Sequence, residues 1–190
     1  MSIINFILEN TAAFFTCGLL ARFAMQWARA PFRNPIGQFV IAVTDWMVKP
    51  ARRVIPTAWS LDLPSVALAW LIQAIYLGAR YALTGLVVTS PSHIAIIAVS
   101  ALFQTAGLAC YLVIGVVIIS ALLSWINPHA PIAPVINAIA GPLLKPLQRV
   151  IPLIGGIDVS PIALFFVIQL VQLLLGSAQE QVIAAILPMK

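Results

Sequence analysis

The octapeptide Lys49-Pro50-Ala51-Arg52-Arg53-Val54-Ile55-Pro56 returns as Lys145-Pro146-Leu147-Gln148-Arg149-Val150-Ile151-Pro152, with six of eight positions identical at an offset of 96 residues. The same offset pairs Asp62 with Asp158, Gln73 with Gln169 and Pro35-Ile36 with Pro131-Ile132. A 190-residue chain that repeats at half its length is two copies of one unit. The copies divide at about residue 90, giving units at 1–90 and 91–190.

Each unit must fold in an apolar solvent. Charged residues make up 8% of the chain and hydrophobic ones 62%, whereas soluble domains carry about 25% charged residues. So few polar groups cannot cover a water-facing surface, and the expected class is an all-α membrane protein. Four spans are expected, at residues 3–27, 64–88, 106–126 and 161–180, each long enough to cross a core of about 30 Å. The first has no Lys or Arg before it and no small-residue cleavage site after it, so it reads as a retained span. Residues 92–104 hold no Lys or Arg. They form a short interfacial or re-entrant helix, or else extend the third span.

Between the spans of each copy lies an interval too short and too polar to cross. In the first, Ile36, Phe39, Val40, Val43, Trp46 and Met47 recur at helical steps over 35–53. In the second, Ile132, Val135, Ile136, Ile139, Leu143 and Leu147 do so over 131–150. These stripes predict amphipathic helices lying in the headgroup plane with the apolar face down. Pro50 and Pro56 are expected to break the first, Asp62 and Ser65 to start the second span, and Ser160-Pro161 the fourth. Gly155-Gly156 supplies a tight turn.

The net charge of +5 sits in these intervals: seven of the ten Lys and Arg lie there. The positive-inside bias puts both intervals in the cytoplasm and both termini outside. Two spans per copy make the copies parallel, related by an axis along the membrane normal. Lys49, Arg52, Arg53, Lys145 and Arg149 form two basic turns that face anionic lipid or a partner helix, or that only enforce topology. No basic-aromatic surface is present to hold phosphates, so nucleic acid is not an expected partner.

Among the polar residues within the spans, Glu9, Arg22, Gln26, Gln73, Arg80, Gln169 and Gln172 are the candidates for a role. Arg22 lies near Trp27, and its long stem is expected to snorkel to the interface rather than serve an ion pathway. Glu9 and Arg80 lie at similar depth in antiparallel spans and are expected to pair, with Glu180 as the competing acid and Arg80 snorkelling alone as the alternative. Gln73 and Gln169, as equivalents, read as hydrogen-bond glue between helices. Catalysis finds no support. His93 and His129 are not in a two-ligand spacing, the lone Cys17 and Cys110 lie in apolar runs, and no nucleophile elbow or phosphate-cradling loop occurs. The expectation is no enzyme, no metal and no cofactor.

The motifs resemble the YggT family of bacterial membrane proteins, called YlmG in Gram-positive bacteria and chloroplasts. The family pattern is an Arg-x-x-x-Gln/Ser-Trp span end, Asn-Pro before the amphipathic segment, a Pro-x-Arg-Arg-x-Ile-Pro turn, and Gly-Gly-Ile-Asp-x-Ser-Pro before the next span. The first copy has Arg22 to Trp27, Asn34-Pro35 and Pro50 to Pro56; the second has Pro146 to Pro152 and Gly155 to Pro161. Two departures stand out: Trp59-Ser60 replaces the glycine pair, and Ser120 replaces the arginine when Trp125 is aligned with Trp27 at an offset of 98. The resemblance implies two YGGT repeats in a bacterial cytoplasmic membrane. It also implies associations with osmotic tolerance, cell division and, in plastids, haem attachment in the cytochrome b6 complex. A non-enzymatic scaffold or assembly factor, alone or as a homo-oligomer, is the reading that fits, with a small-solute or ion channel as the alternative.

Overall fold

The computed structural model describes residues 3–55, 62–84, 90–151 and 158–186. Among them run six helices: α1 (Ile3–Trp27), α2 (Pro35–Ala51), α3 (Leu63–Leu83), α4 (Pro91–Ile126), α5 (Ala133–Val150) and α6 (Ser160–Ile186). Helices α1 to α3 form the first repeat and α4 to α6 the second. Four of them, α1, α3, α4 and α6, are long and apolar enough to cross a membrane. The protein is a multi-pass, all-helical membrane protein. The ends of the two turns at Pro56 and Pro152, Trp59-Ser60, Gly155-Gly156, the 85–88 end of the second expected span and the tail from 187 lie outside the described residues.

Residues 92–104 belong to the third span: α4 is continuous over 36 residues. At 1.5 Å per residue it is about 54 Å long. That exceeds a hydrocarbon core of about 30 Å even with the tilts common to spanning helices, so part of α4 stands beyond the core. The fourth span also runs past its expected end, to Ile186.

Local signals set the helix ends. At the end of α1 the Ala30 N–H donates to the Met25 carbonyl (2.8 Å) and the Arg29 N–H to that of Gln26 (3.1 Å). Arg29 has φ of 50°. This is a Schellman close with arginine in the left-handed position that glycine usually takes, and buried Ala30 and Met25 make its hydrophobic contact. Asn34 then caps α2, its side-chain oxygen accepting from the Gly37 N–H at 2.9 Å, with Pro35 in the first turn. Pro50 does not stop α2, which runs to Ala51, and α5 likewise contains Pro142 and Pro146.

The short helices pack inward. α2 buries Gly37, Val40, Thr44 and Val48, a stripe of small residues, and leaves Phe39 and Trp46 exposed. Thr44 sits against Gly18 of α1, where an added Cβ would lie 3.4 Å from the Thr44 methyl, so a side chain larger than alanine there would hold the helices apart. Phe39 and Trp46 flank this seam, edge-on to Phe14 and Phe15. α5 buries Val135, Ile136, Ile139 and Leu144 against Val116 and Val117 of α4, Leu164 and Ile168 of α6, and Met25 of α1. The expected α5 stripe thus supplies a core joining the two repeats. On α2 the face packed against α1 is the one with Gly37 and Thr44, because close approach favours small residues, and Phe39 and Trp46 of the apolar stripe stay outside the protein.

Antiparallel α1 and α3 meet along their length, from Arg22 and Asp62 near one end (3.2 Å) to Thr16 and Gln73 (2.9 Å) in the interior. Gln73 is therefore the interhelical glue expected of it. Its equivalent Gln169 is exposed and makes no hydrogen bond among the described residues.

Candidate functional site

Three segments of the first repeat converge where α1 ends, α2 passes and α3 begins. Asp62, fully buried just before α3, accepts three hydrogen bonds on Oδ2. They come from Arg22 Nε (3.2 Å), Arg52 Nη2 (3.1 Å) and Ser65 Oγ (2.8 Å). Arg22 also reaches α2, donating through Nη1 to Asp45 Oδ1 (2.7 Å) and Thr44 Oγ1 (2.9 Å). Thr44 Oγ1 donates in turn to the Val40 carbonyl at 2.6 Å. On the outer side Lys49 Nζ meets Asp45 Oδ2 at 2.8 Å. One guanidinium therefore ties three helices together through two carboxylates.

Electrostatics explain why the cluster is tolerated. A lone charge taken from water is costly, whereas charges that share short bonds persist. Asp62 gathers all three of its bonds on Oδ2, and its buried Oδ1 has no partner among the described residues. Arg22 and Asp62 are both buried, while Lys49 and Arg52 keep one side in solvent. Asp45 is held below its ordinary carboxylate range, first by the hydrogen bond from Lys49 and then by that from Arg22, against an upward push from burial.

The second repeat builds the same station with other residues. Asp158, ahead of α6, accepts from Gln148 Nε2 (2.8 Å) and from the Ser160 N–H (2.9 Å). Gln148 stands where Arg52 stands in the first repeat. Ser120, which replaces Arg22, donates to Asn137 Oδ1 of α5 at 2.9 Å. Thr44-Asp45 corresponds to Ala140-Gly141, so no second carboxylate is present. In the place of a guanidinium lies a cavity of about 250 Å³, lined by Ser120, Ser124, Trp125, Asn137, Gln148 and Asp158 among others. Burial raises the Asp158 carboxyl, but its hydrogen bonds from Ser160 and Gln148 outweigh this and leave it below the ordinary value.

Arg22 is thus not a snorkelling residue. It points into the protein because two carboxylates and a hydroxyl await it there, which no interfacial water can match in geometry. Glu9 and Arg80 are both exposed and make no ion pair among the described residues. Arg80 instead lines a groove of about 380 Å³ of mixed character, with Thr84, Ser100, Gln104 and Gln179 beside Leu77, Tyr81 and Ile183. All five basic turn residues are exposed; Lys49 and Arg52 are tied to Asp45 and Asp62, whereas Arg53, Lys145 and Arg149 make no ion pair among the described residues. Reading along the sequence missed Asp45 and Asp62 as site residues. A signal existed: the chain has five acidic residues in all, and two of its three aspartates bracket the first basic turn. No three His, Cys, Asp or Glu gather as a metal site among the described residues.

A family model described as CCB3/YggT matches the chain in two regions, residues 1–83 and 99–179. The chain is 34% identical over 174 residues to the protein YggT of Escherichia coli K12, covering 91% of this chain and 89% of that one. A relative in Pseudomonas aeruginosa is 34% identical, covering 89% and 86%. One in Vibrio alginolyticus is 30% identical, covering 93% and 95%. No solved structure matches.

Proposed function

The chain belongs to the CCB3/YggT family, and from that premise we propose that it is a non-enzymatic scaffold or assembly factor of the bacterial cytoplasmic membrane. The observation that carries this reading is the rigid presentation of charge at one end of the molecule. The pairs Arg22–Asp45 and Arg52–Asp62 fix the end of α2, and from that fixed end the exposed Lys49 and Arg53 extend. Lys145 and Arg149 do the same at the end of α5. A fixed basic surface beside the bilayer attracts anionic lipid at about 1 kcal/mol per residue and offers a partner protein a docking face. The positive-inside bias supports an orientation with this end in the cytoplasm and both termini outside. Links to osmotic tolerance, cell division or assembly of a membrane complex belong to the same reading.

Photo-crosslinking in living cells from Arg53 and Arg149, with a control at lipid-facing Tyr111 of α4, tests it. One discrete protein adduct that the control lacks is the expected result. Lipid adducts alone would reduce the turns to topology signals. The groove beside Arg80 favours a second reading, a path for small solutes or ions. Solute flux across reconstituted vesicles that Arg80→Gln alters is the result this reading requires.

A further inference from the structure

We infer that the cavity between Ser120, Asn137, Gln148 and Asp158 is a binding site for a guanidinium group, the group that Arg22 supplies to the matching station of the first repeat. The inference does not depend on the scaffold reading. It rests on a comparison internal to the chain. Both stations are built where a span ends, a short helix passes and the next span begins, and both keep the aspartate ahead of the third helix, Asp62 and Asp158. In the first repeat that carboxylate holds two arginines. In the second, both arginine positions carry neutral residues, Ser120 and Gln148. The space that the shorter side chains leave is open, at about 250 Å³.

The lining suits a planar cation. Asp158 receives only neutral donors among the described residues, from Gln148 and the Ser160 backbone. Lys145 and Arg149, the nearest cations along α5, are exposed, line no part of the cavity and make no ion pair among the described residues. A carboxylate offers about four lone-pair sites, so Asp158 retains capacity for a forked donor. A guanidinium fills such a fork with parallel N–H bonds, as a spherical ammonium does not. Trp125 on the rim gives its flat face a place to stack. The group comes either from a free small guanidinium compound or from an arginine of a membrane-protein partner; the chemistry is the same.

The test uses the full chain in nanodiscs of zwitterionic lipid, titrated with methylguanidinium chloride, with tetramethylammonium chloride at equal ionic strength as the control. Trp125 emission is the reporter, taken as the difference between the wild type and Trp125→Phe. A saturable change with methylguanidinium alone, lost in Asp158→Asn and in Ser120→Arg, is the expected result. The second variant fills the site from within; should it not fold, Asp158→Asn carries the test. Saturation in the micromolar range identifies a free solute as the source. Saturation in the millimolar range, with a protein crosslink from Ser124 in cells that Asp158→Asn abolishes, identifies a partner's arginine. No saturable change, or an equal change in Asp158→Asn, overturns the inference and leaves a water-filled space.

Discussion

The two repeats put an aspartate at the same station and surround it in opposite ways. Asp62 is sealed under Arg22, Arg52 and Ser65, with Asp45 and Thr44 completing the arginine's shell. Asp158 meets Gln148 and a backbone N–H beside an open cavity. A duplicated unit keeps its helices and its packing while its polar interior diverges. The first copy has become a structural lock, and the second has kept the room that the lock occupies. A carboxylate at an apolar boundary needs a donor set of some kind, and the chain solves that once with charge and once with neutral side chains.

The widest gap between the repeats should appear on removing the aspartates. Asp62→Ala deprives two arginines of their shared acceptor, one of them buried, and should cost about 3–5 kcal/mol. Asp158→Ala removes two hydrogen bonds from neutral donors to a half-buried carboxylate and strands no buried cation, so it should cost about 1.5–3 kcal/mol. Thermal unfolding in detergent measures both, and equal losses would break the comparison. The short helices offer a second contrast. Gly37 packs so close to the loop that a Cβ would lie 2.6 Å from the Phe32 carbonyl oxygen, whereas its equivalent in the second repeat is already Ala133. Gly37→Ala should therefore cost about 1–3 kcal/mol, and Ala133→Gly about 0.5–1 kcal/mol.

Smaller effects sharpen the picture. Asn34→Ala removes the cap of α2 and should cost about 1 kcal/mol; α5 has no side-chain cap to lose. Acidification weakens both stations, since Asp45 and Asp158 are each held below the ordinary carboxylate range. Asp45 titrates below its ordinary value in the folded protein. Its contribution is therefore complete above the ordinary carboxylate range and is lost as pH falls through its lowered value. Stability of the wild type should fall on that descent, and Asp45→Asn should flatten the slope.

Much of this architecture was legible in the chain. The doubled Lys-Pro turn and the apolar runs specify two repeats, four spans and an all-helical fold, since each is a local pattern. The end of α1 at Trp27 and the start of α2 at Pro35 follow from nearby signals. The continuity of α4 through 92–104 was one of several open readings, because an apolar stretch without charges is compatible with all of them. The lock itself was not legible. Arg22 finds Asp62 forty positions away, and no periodicity connects them. The face by which α2 meets α1 was not legible either: periodicity marks the apolar stripe with Phe39 and Trp46, whereas the contact with α1 at Gly18 is made by the small Gly37 and Thr44.

The two stations differ at Arg22, Arg52 and Asp45, and the central claim is that the Arg22 guanidinium, replaced by Ser120 in the second repeat, is the group that ties the first one together. Exchanging the two residues tests it most directly: Arg22→Ser and Ser120→Arg, each compared with the wild type by thermal unfolding in the same detergent. The account predicts a large fall in the midpoint for Arg22→Ser, which leaves Asp62 buried with part of its shell gone. It predicts a rise for Ser120→Arg, whose side chain reaches Asp158 across the cavity. An unchanged midpoint in Arg22→Ser, or an equal fall in both variants, would contradict it.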